Sequence, residues 1–142
     1  MSRMNPDEPL TYQRCKALFA LRRKTNKKAV EVKLNHNTFL GCTPPPLRDI
    51  GDDGCIYYVA LRGNPILFFL PSGRIELNSC GYRTFTTKAR MNAFLPVGNV
   101  YQVKGQWVYS HGHGEARTDW KFFDGMLIDT ETGQVVNEPA TA

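Results

Sequence analysis

Between Cys55 and Thr86 turn-forming residues interrupt the chain at roughly ten-residue intervals, and this punctuation constrains the fold more than any other feature. The turns are Arg62-Gly63-Asn64-Pro65, Pro71-Ser72-Gly73 and Asn78 to Gly81. They bound the runs Cys55 to Leu61, Ile66 to Leu70, Arg74 to Leu77 and Tyr82 to Thr86. Each run has strand length. Short links cannot make the long crossovers that parallel pairing needs, so the runs predict one antiparallel sheet. In Cys55 to Leu61 both alternating sets are apolar, Ile56, Tyr58 and Ala60 against Tyr57, Val59 and Leu61, which predicts burial on both faces.

The pattern extends both ways. Upstream, Val30, Val32 and Leu34 alternate with Glu31 and Lys33, Asn35-His36-Asn37 turns the chain, and Thr38 to Cys42 returns. Thr43-Pro44-Pro45-Pro46 and Asp49 to Gly54 then read as a long irregular loop. Downstream, Asn99 to Val103 and Gln106 to Tyr109 flank Lys104-Gly105 as a hairpin. Trp120 to Phe123, Met126 to Ile128 and Gln134 to Val136 are further strand candidates. Two helices interrupt the β pattern. Leu10 to about Lys24 lacks Gly and Pro and gathers Cys15, Leu18, Phe19 and Leu21 on one side, with Arg14, Lys16, Arg22, Arg23 and Lys24 on the remainder. Thr87 is the expected N-cap of a two-turn helix ending before Pro96, with Ala89, Ala93 and Phe94 facing the sheet. The expected class is α+β: mostly antiparallel β hairpins, a basic N-terminal helix, and one short helix after the central strands. The expected divisions are a frayed leader (1–9), helix and linker (10–28), one β-rich domain (29–137) and a tail (138–142).

At 142 residues the chain suits one domain, and 42% hydrophobic with 22% charged residues is ordinary globular composition. No apolar run approaches the roughly 20 residues of a membrane span, so no membrane association is expected. Cys15, Cys42, Cys55 and Cys80 lie far apart without a C-x-x-C pair, which points to reduced thiols and a cytoplasmic setting. The net charge of +5 is uneven. Residues 1–33 hold nine basic and three acidic side chains, and 34–142 hold nine and ten.

That asymmetry points to nucleic acid, or to an acidic face of a host nucleic-acid-processing complex, as the partner of Arg14, Arg22, Arg23, Lys24, Lys27 and Lys28. Arg83, Lys88 and Arg90 form a second patch. On a Tyr82 to Thr86 strand, Arg83 would share the apolar side with Phe85, where a guanidinium must pair or snorkel. Asn92 and Thr87 are expected to bond backbone groups around the strand-to-helix corner. Most aromatic rings are assigned to the core. His111 and His113 form an H-x-H pair, the weak candidate for a metal, but flanking glycines and the lack of a third ligand at a diagnostic spacing argue against preorganisation. No nucleophile elbow, P-loop or dinucleotide fingerprint is present, so neither an enzyme nor a cofactor is expected.

The chain also resembles a group of small proteins of tailed bacteriophages. The resemblance spans about residues 33–129 and rests on Gly81-Tyr82-Arg83-Thr84-x-Thr86-Thr87-Lys88-x-Arg90-x-Asn92, a G-[WY]-R-T-x-T-T-K-x-R-x-N string. Gly73-Arg74-Ile75-x-Leu77-Asn78-Ser79, Trp107-Val108-Tyr109 and Phe123-Asp124-Gly125-Met126 support it. This chain departs from the pattern at Cys80-Gly81-Tyr82, in place of Gly-Gly-Trp, and at Arg62 to Pro65. The resemblance implies a phage origin and the cytoplasm of an infected bacterium, without a mechanism. Two expectations follow: an accessory protein acting through its basic helix, or a virion or assembly component acting through protein contacts.

Overall fold

The computed structural model describes residues 9–23, 31–43 and 56–138. Helix α1 (Tyr12–Arg23) is followed by β1 (Glu31–Asn35), β2 (Thr38–Thr43), β3 (Ile56–Leu61), β4 (Asn64–Phe69) and β5 (Arg74–Leu77). Then come α2 (Phe85–Phe94), β6 (Asn99–Val103), β7 (Gln106–His111), β8 (Thr118–Lys121) and β9 (Met126–Asp129). The class is α+β with a β majority.

The strands form two antiparallel sheets. The larger has six strands in the order β1-β2-β3-β4-β5-β9, and the smaller has three in the order β6-β7-β8. The first five strands are the meander that the turns predict. Tyr82 to Thr86 does not extend it: the strand beside β5 is β9, with Ile75 opposite Ile128 and Leu77 opposite Met126. The chain leaves the large sheet after β5, builds α2 and the small sheet, and returns.

Two hairpins turn on residue pairs with positive φ. Arg62 (53°) and Gly63 (85°) link Leu61 to its partner Asn64, while Lys104 (51°) and Gly105 (80°) link Val103 to Gln106. Positive φ at both central residues is the type I′ geometry, whose twist matches that of the flanking strands. β4 therefore begins at Asn64, and Pro65 lies within it where the register shifts opposite Val59 and Ala60. Proline donates no ladder bond, which a register irregularity accommodates.

Register explains the burial. Val32, Leu40, Val59, Leu67 and Leu77 follow one another across five strands on one face, with Tyr57, Phe69, Ile75 and Ile128 beside them. All are buried. Leu10, Tyr12, Cys15, Leu18 and Phe19 of the α1 region join the same core, with Tyr12 and Phe19 in ring contact with Tyr57 at 5.4 and 5.9 Å. Each leucine or phenylalanine among them contributes about 1.5–3 kcal/mol on full burial. Thr11 caps this helix by accepting from the Arg14 amide at 3.2 Å. The opposite face of the large sheet is more open. Ile56, Tyr58 and Phe68 are half-buried there, contrary to the expectation that β3 is buried on both sides. The Tyr58 ring covers Gly41, where no side chain competes for the space, and its hydroxyl donates to Glu31 at 2.7 Å.

In the small sheet Val100, Trp107 and Tyr109 face inward. Trp107 meets Phe122 edge-on at 5.1 Å, and the Tyr109 hydroxyl donates to the Gly133 carbonyl at 2.6 Å. Asn92 joins α2 to β6: its amide donates to the Val100 carbonyl at 2.7 Å and its oxygen accepts from the Val100 amide at 2.8 Å. The sequence places this bonding at the strand-to-helix corner; it lies one element further on. Gln134 to Val136 is not a named strand but an isolated bridge from Val135 to Ile128, flanked by bonds from the Asp129 amide to the Gln134 carbonyl at 3.0 Å and from the Val136 amide to the Leu127 carbonyl at 2.9 Å.

Candidate functional site

The segment from Asn78 to Thr87 is a corner between β5 and α2, not a strand. Cys80 (φ 54°) and Gly81 (φ 81°) reverse the chain, and the Tyr82 amide donates to the Ser79 carbonyl at 2.9 Å. The helix starts earlier than Thr87. Thr84 is the N-cap, its hydroxyl accepting from the Thr87 amide at 3.2 Å and lying 3.1 Å from the Thr87 hydroxyl. Thr87 thus occupies the third helical position and is buried. Thr87, Met91 and Phe94 make the inward stripe at i, i+4 and i+7, while Ala89 points to solvent.

This shift decides what the corner exposes. Phe85 becomes the first helical residue, on the side opposite that stripe, and is 79% exposed; Tyr82 is 58% exposed. Both rings are surface features, which overturns the placing of Phe85 on the apolar side of a strand. The Lys88 ammonium lies 5.9 Å from the Phe85 ring centroid, one helical turn on, and the Arg83 guanidinium lies 5.2 Å from that of Phe122. Arg83 is exposed at the corner rather than on the apolar side of a strand.

The corner is fixed from below. The Asp124 carboxylate accepts from the Ser79 amide at 2.7 Å and from the Ser79 hydroxyl at 2.8 Å. Asn78 accepts from the Cys80 amide at 2.8 Å, and the Cys80 thiol lies 3.0 Å from the Pro65 carbonyl. Burial, with the Asp124 charge second, pushes the Cys80 thiol upward, so it stays protonated and is a poor nucleophile. The Arg62 amide donates to the Asn37 carbonyl at 2.7 Å, tying together the β1–β2 and β3–β4 turns. Between the Arg62 turn and the corner lies a cleft of about 420 Å³, lined by Leu61, Arg62, Asn64, Ile66, Ser79, Tyr82, Thr84, Thr86 and Thr87. One aromatic ring, one cation, one amide and several hydroxyls thus converge on a small-ligand volume.

The other expected site residues do not all gather there. Arg14 is half-buried on α1, and Arg90 is half-buried on α2. The side chains of Arg22 and Arg23, and all of Lys24, Lys27 and Lys28, lie outside the described residues. His111 is half-buried at the end of β7 and packs against Gly133, while His113 is exposed in the following bend. Among the described residues no group of three or more His, Cys, Asp or Glu side chains could hold a metal. Arg117, Tyr101 and Asp119 instead form a surface cluster beside the histidines. Arg117 Nε donates to Asp119 at 3.0 Å and its guanidinium also donates to the Tyr101 hydroxyl; these bonds, with Asp119's charge, raise the Arg117 pKa.

The family model of the Kyanoviridae Gp96 protein matches residues 20–129. The chain belongs to that family. It is a bacteriophage protein family, and its match covers every strand among the described residues, the Asn78–Thr87 corner and α2. The match starts within α1, leaving Arg14 outside it while covering Arg22 to Lys28. Searches of curated proteins and of solved structures found no match. No helix among the described residues is long and apolar enough to cross a membrane.

Sequence reasoning missed Tyr82, Phe85, Arg62 and Asn64 as a group. The signal for the first two was present as Thr84-x-x-Thr87, a cap and its third helical residue. For the others it was absent, because only the tertiary fold brings the Arg62 turn to the corner.

Proposed function

We propose that this phage protein is a non-enzymatic accessory factor that binds single-stranded nucleic acid in the host cytoplasm through the Tyr82–Lys88 corner. The observation that carries the reading is the pair of exposed rings, Tyr82 and Phe85, next to Arg83 and Lys88. Exposed large aromatic rings have a solvation cost, and rings interleaved with cations are what a sequence-tolerant strand binder requires. Bases stack on the rings while phosphates meet the cations. The basic arm, Arg22, Arg23, Lys24, Lys27 and Lys28 with Arg14 upstream, adds long-range attraction to the same polyanion. The arm would account for much of the salt dependence, and the corner for the contact with bases.

Fluorescence anisotropy of labelled single-stranded DNA and RNA, at low and moderate salt, tests this. Tight binding that weakens steeply with salt is expected. Stacking is worth about 1–3 kcal/mol per base, so Tyr82→Ala with Phe85→Ala should weaken binding at least about tenfold. Both side chains are exposed, so the thermal melt should barely move. Absence of binding at low salt would remove the reading. It would turn attention to an assembly role, which the half-buried Ile56, Tyr58 and Phe68 on the open face of the large sheet favour. An apolar interface predicts micromolar self-association or partner binding that is insensitive to salt.

A further inference from the structure

Stacking on Tyr82 and Phe85 would give a strand affinity but leaves the cleft beside Tyr82 without a role. The cleft of about 420 Å³ lies at the lower end of small-molecule sites, with room for one nucleotide and none for a duplex. Its walls are chemically divided. Tyr82 supplies a ring at the rim, Arg62 a cation held on a tied turn, Leu61 and Ile66 an apolar floor, and Asn64, Thr84, Thr86 and Thr87 the polar groups. Thr84 and Thr87 are already engaged with each other. Among the described residues, no side-chain hydrogen bond engages Asn64 or Thr86, so their amide and hydroxyl are available to a ligand.

We infer that the cleft receives one unstacked base of the bound strand, which it reads through Asn64 and Thr86 while Tyr82 covers its face. This rests on the single-strand reading above and names what that surface recognises. An amide presents a donor next to an acceptor, which matches the adjacent donor and acceptor on a nucleobase edge. The Thr86 hydroxyl adds a second contact of either sense. Arg62 is placed to meet the phosphate of the same nucleotide. Recognition on single strands depends on such splayed bases, because only an unpaired base offers its Watson–Crick edge. The surroundings are preorganised: Ser79 is fixed by Asp124, Thr84 by the helix cap, and the backbone of the Arg62 turn by Asn37.

The test compares homopolymer probes, oligo-dA, -dC and -dT of equal length, on the full chain at one salt concentration, by anisotropy. A stacking surface alone tolerates all bases, whereas a pair of contacts to a base edge discriminates by about tenfold or more. The expected result is a preference of that size for one homopolymer. Asn64→Ala with Thr86→Val should abolish the preference, bringing the preferred probe down to the affinity of the others. Amide NMR shifts with the preferred probe should centre on Asn64 and Ser79 to Thr87. If all probes bind equally, or the double variant keeps the wild-type preference, the base pocket is wrong and the stacking reading stands. If no probe binds at low salt, both fall together.

Discussion

Replacing Asp124 by alanine tests whether the corner is built as described. Asp124 Oδ1 is the acceptor for both the amide and the hydroxyl of Ser79, a residue only 1% exposed. Deleting the carboxylate strands two buried donors, each worth about 1–3 kcal/mol when left unsatisfied. Asp124 is itself exposed, so water can partly replace it, and the Ser79 hydroxyl can rotate. The net loss is therefore about 2–4 kcal/mol, or roughly 6–15 °C in Tm for a domain of this size. Asp124→Asn keeps an acceptor oxygen without the charge and should lose about half as much. In a Ser79→Ala background one donor has already gone, so Asp124→Ala should cost about 1 kcal/mol less than in the wild type. The assay is urea and thermal unfolding by circular dichroism. A loss below about 1 kcal/mol for Asp124→Ala, with Asp124→Asn indistinguishable from it, would show that the carboxylate does not hold the corner.

Other positions give sharper local tests. Asn92→Ala removes both bonds to Val100 and should cost about 2–3 kcal/mol, with the Val100 amide losing hydrogen-exchange protection while β3 amides keep theirs. Gly133 has a φ of 75°, and a Cβ there would overlap the His111 ring; Gly133→Ala should lose at least about 2 kcal/mol in urea unfolding. Stability should also fall in alkali. Burial first, then the hydrogen bond to Glu31, the charge of Glu31 and that of Cys42 push Tyr58 from 10.0 up to about 12, and burial likewise raises Tyr109, Cys15 and Cys80. A raised folded pKa gives stability that is complete below the unfolded pKa, about 9 for the thiols and 10 for the phenols, and is lost as pH climbs toward the folded value. Tm should decline from pH 9 to 11, less steeply in Tyr58→Phe; a flat profile would contradict the burial of these groups.

Local periodicity made the first five strands legible. Val30 to Leu34 alternates, turns such as Arg62-Gly63 and Lys104-Gly105 state their own geometry, and hairpins connect neighbours. The partner of β5 was not legible. β9 lies about fifty residues further along, and nothing in Met126 to Asp129 says that it pairs with Arg74 to Leu77 rather than with a nearer strand. That single long-range pairing completes the large sheet and leaves β6, β7 and β8 to pair among themselves in a second one. Non-local pairing depends on packing summed over the whole core, which a window of residues does not contain.

The corner failed to read correctly for a different reason. Tyr82 to Thr86 alternates like a strand, and its β-branched and aromatic residues favour one. The segment is nevertheless not a strand, because Thr84 has a better use for its hydroxyl. As an N-cap it bonds the Thr87 amide, which starts the helix three residues early and buries Thr87, Met91 and Phe94 together. A cap is worth about 1 kcal/mol, but two buried hydrophobic anchors add several more, so the helix outcompetes strand propensity. Phe85 then has no place in the core, and Tyr82 is carried out by the Cys80-Gly81 turn. The same residues that mislead a periodicity reading thus create the exposed aromatic surface. Thr84→Val, which keeps the shape and removes the cap, tests the link directly: it should destabilise the protein by about 1 kcal/mol and weaken single-strand binding as the Phe85 turn frays. A variant that loses the stability and binds as tightly as wild type would separate the helix start from the proposed binding surface.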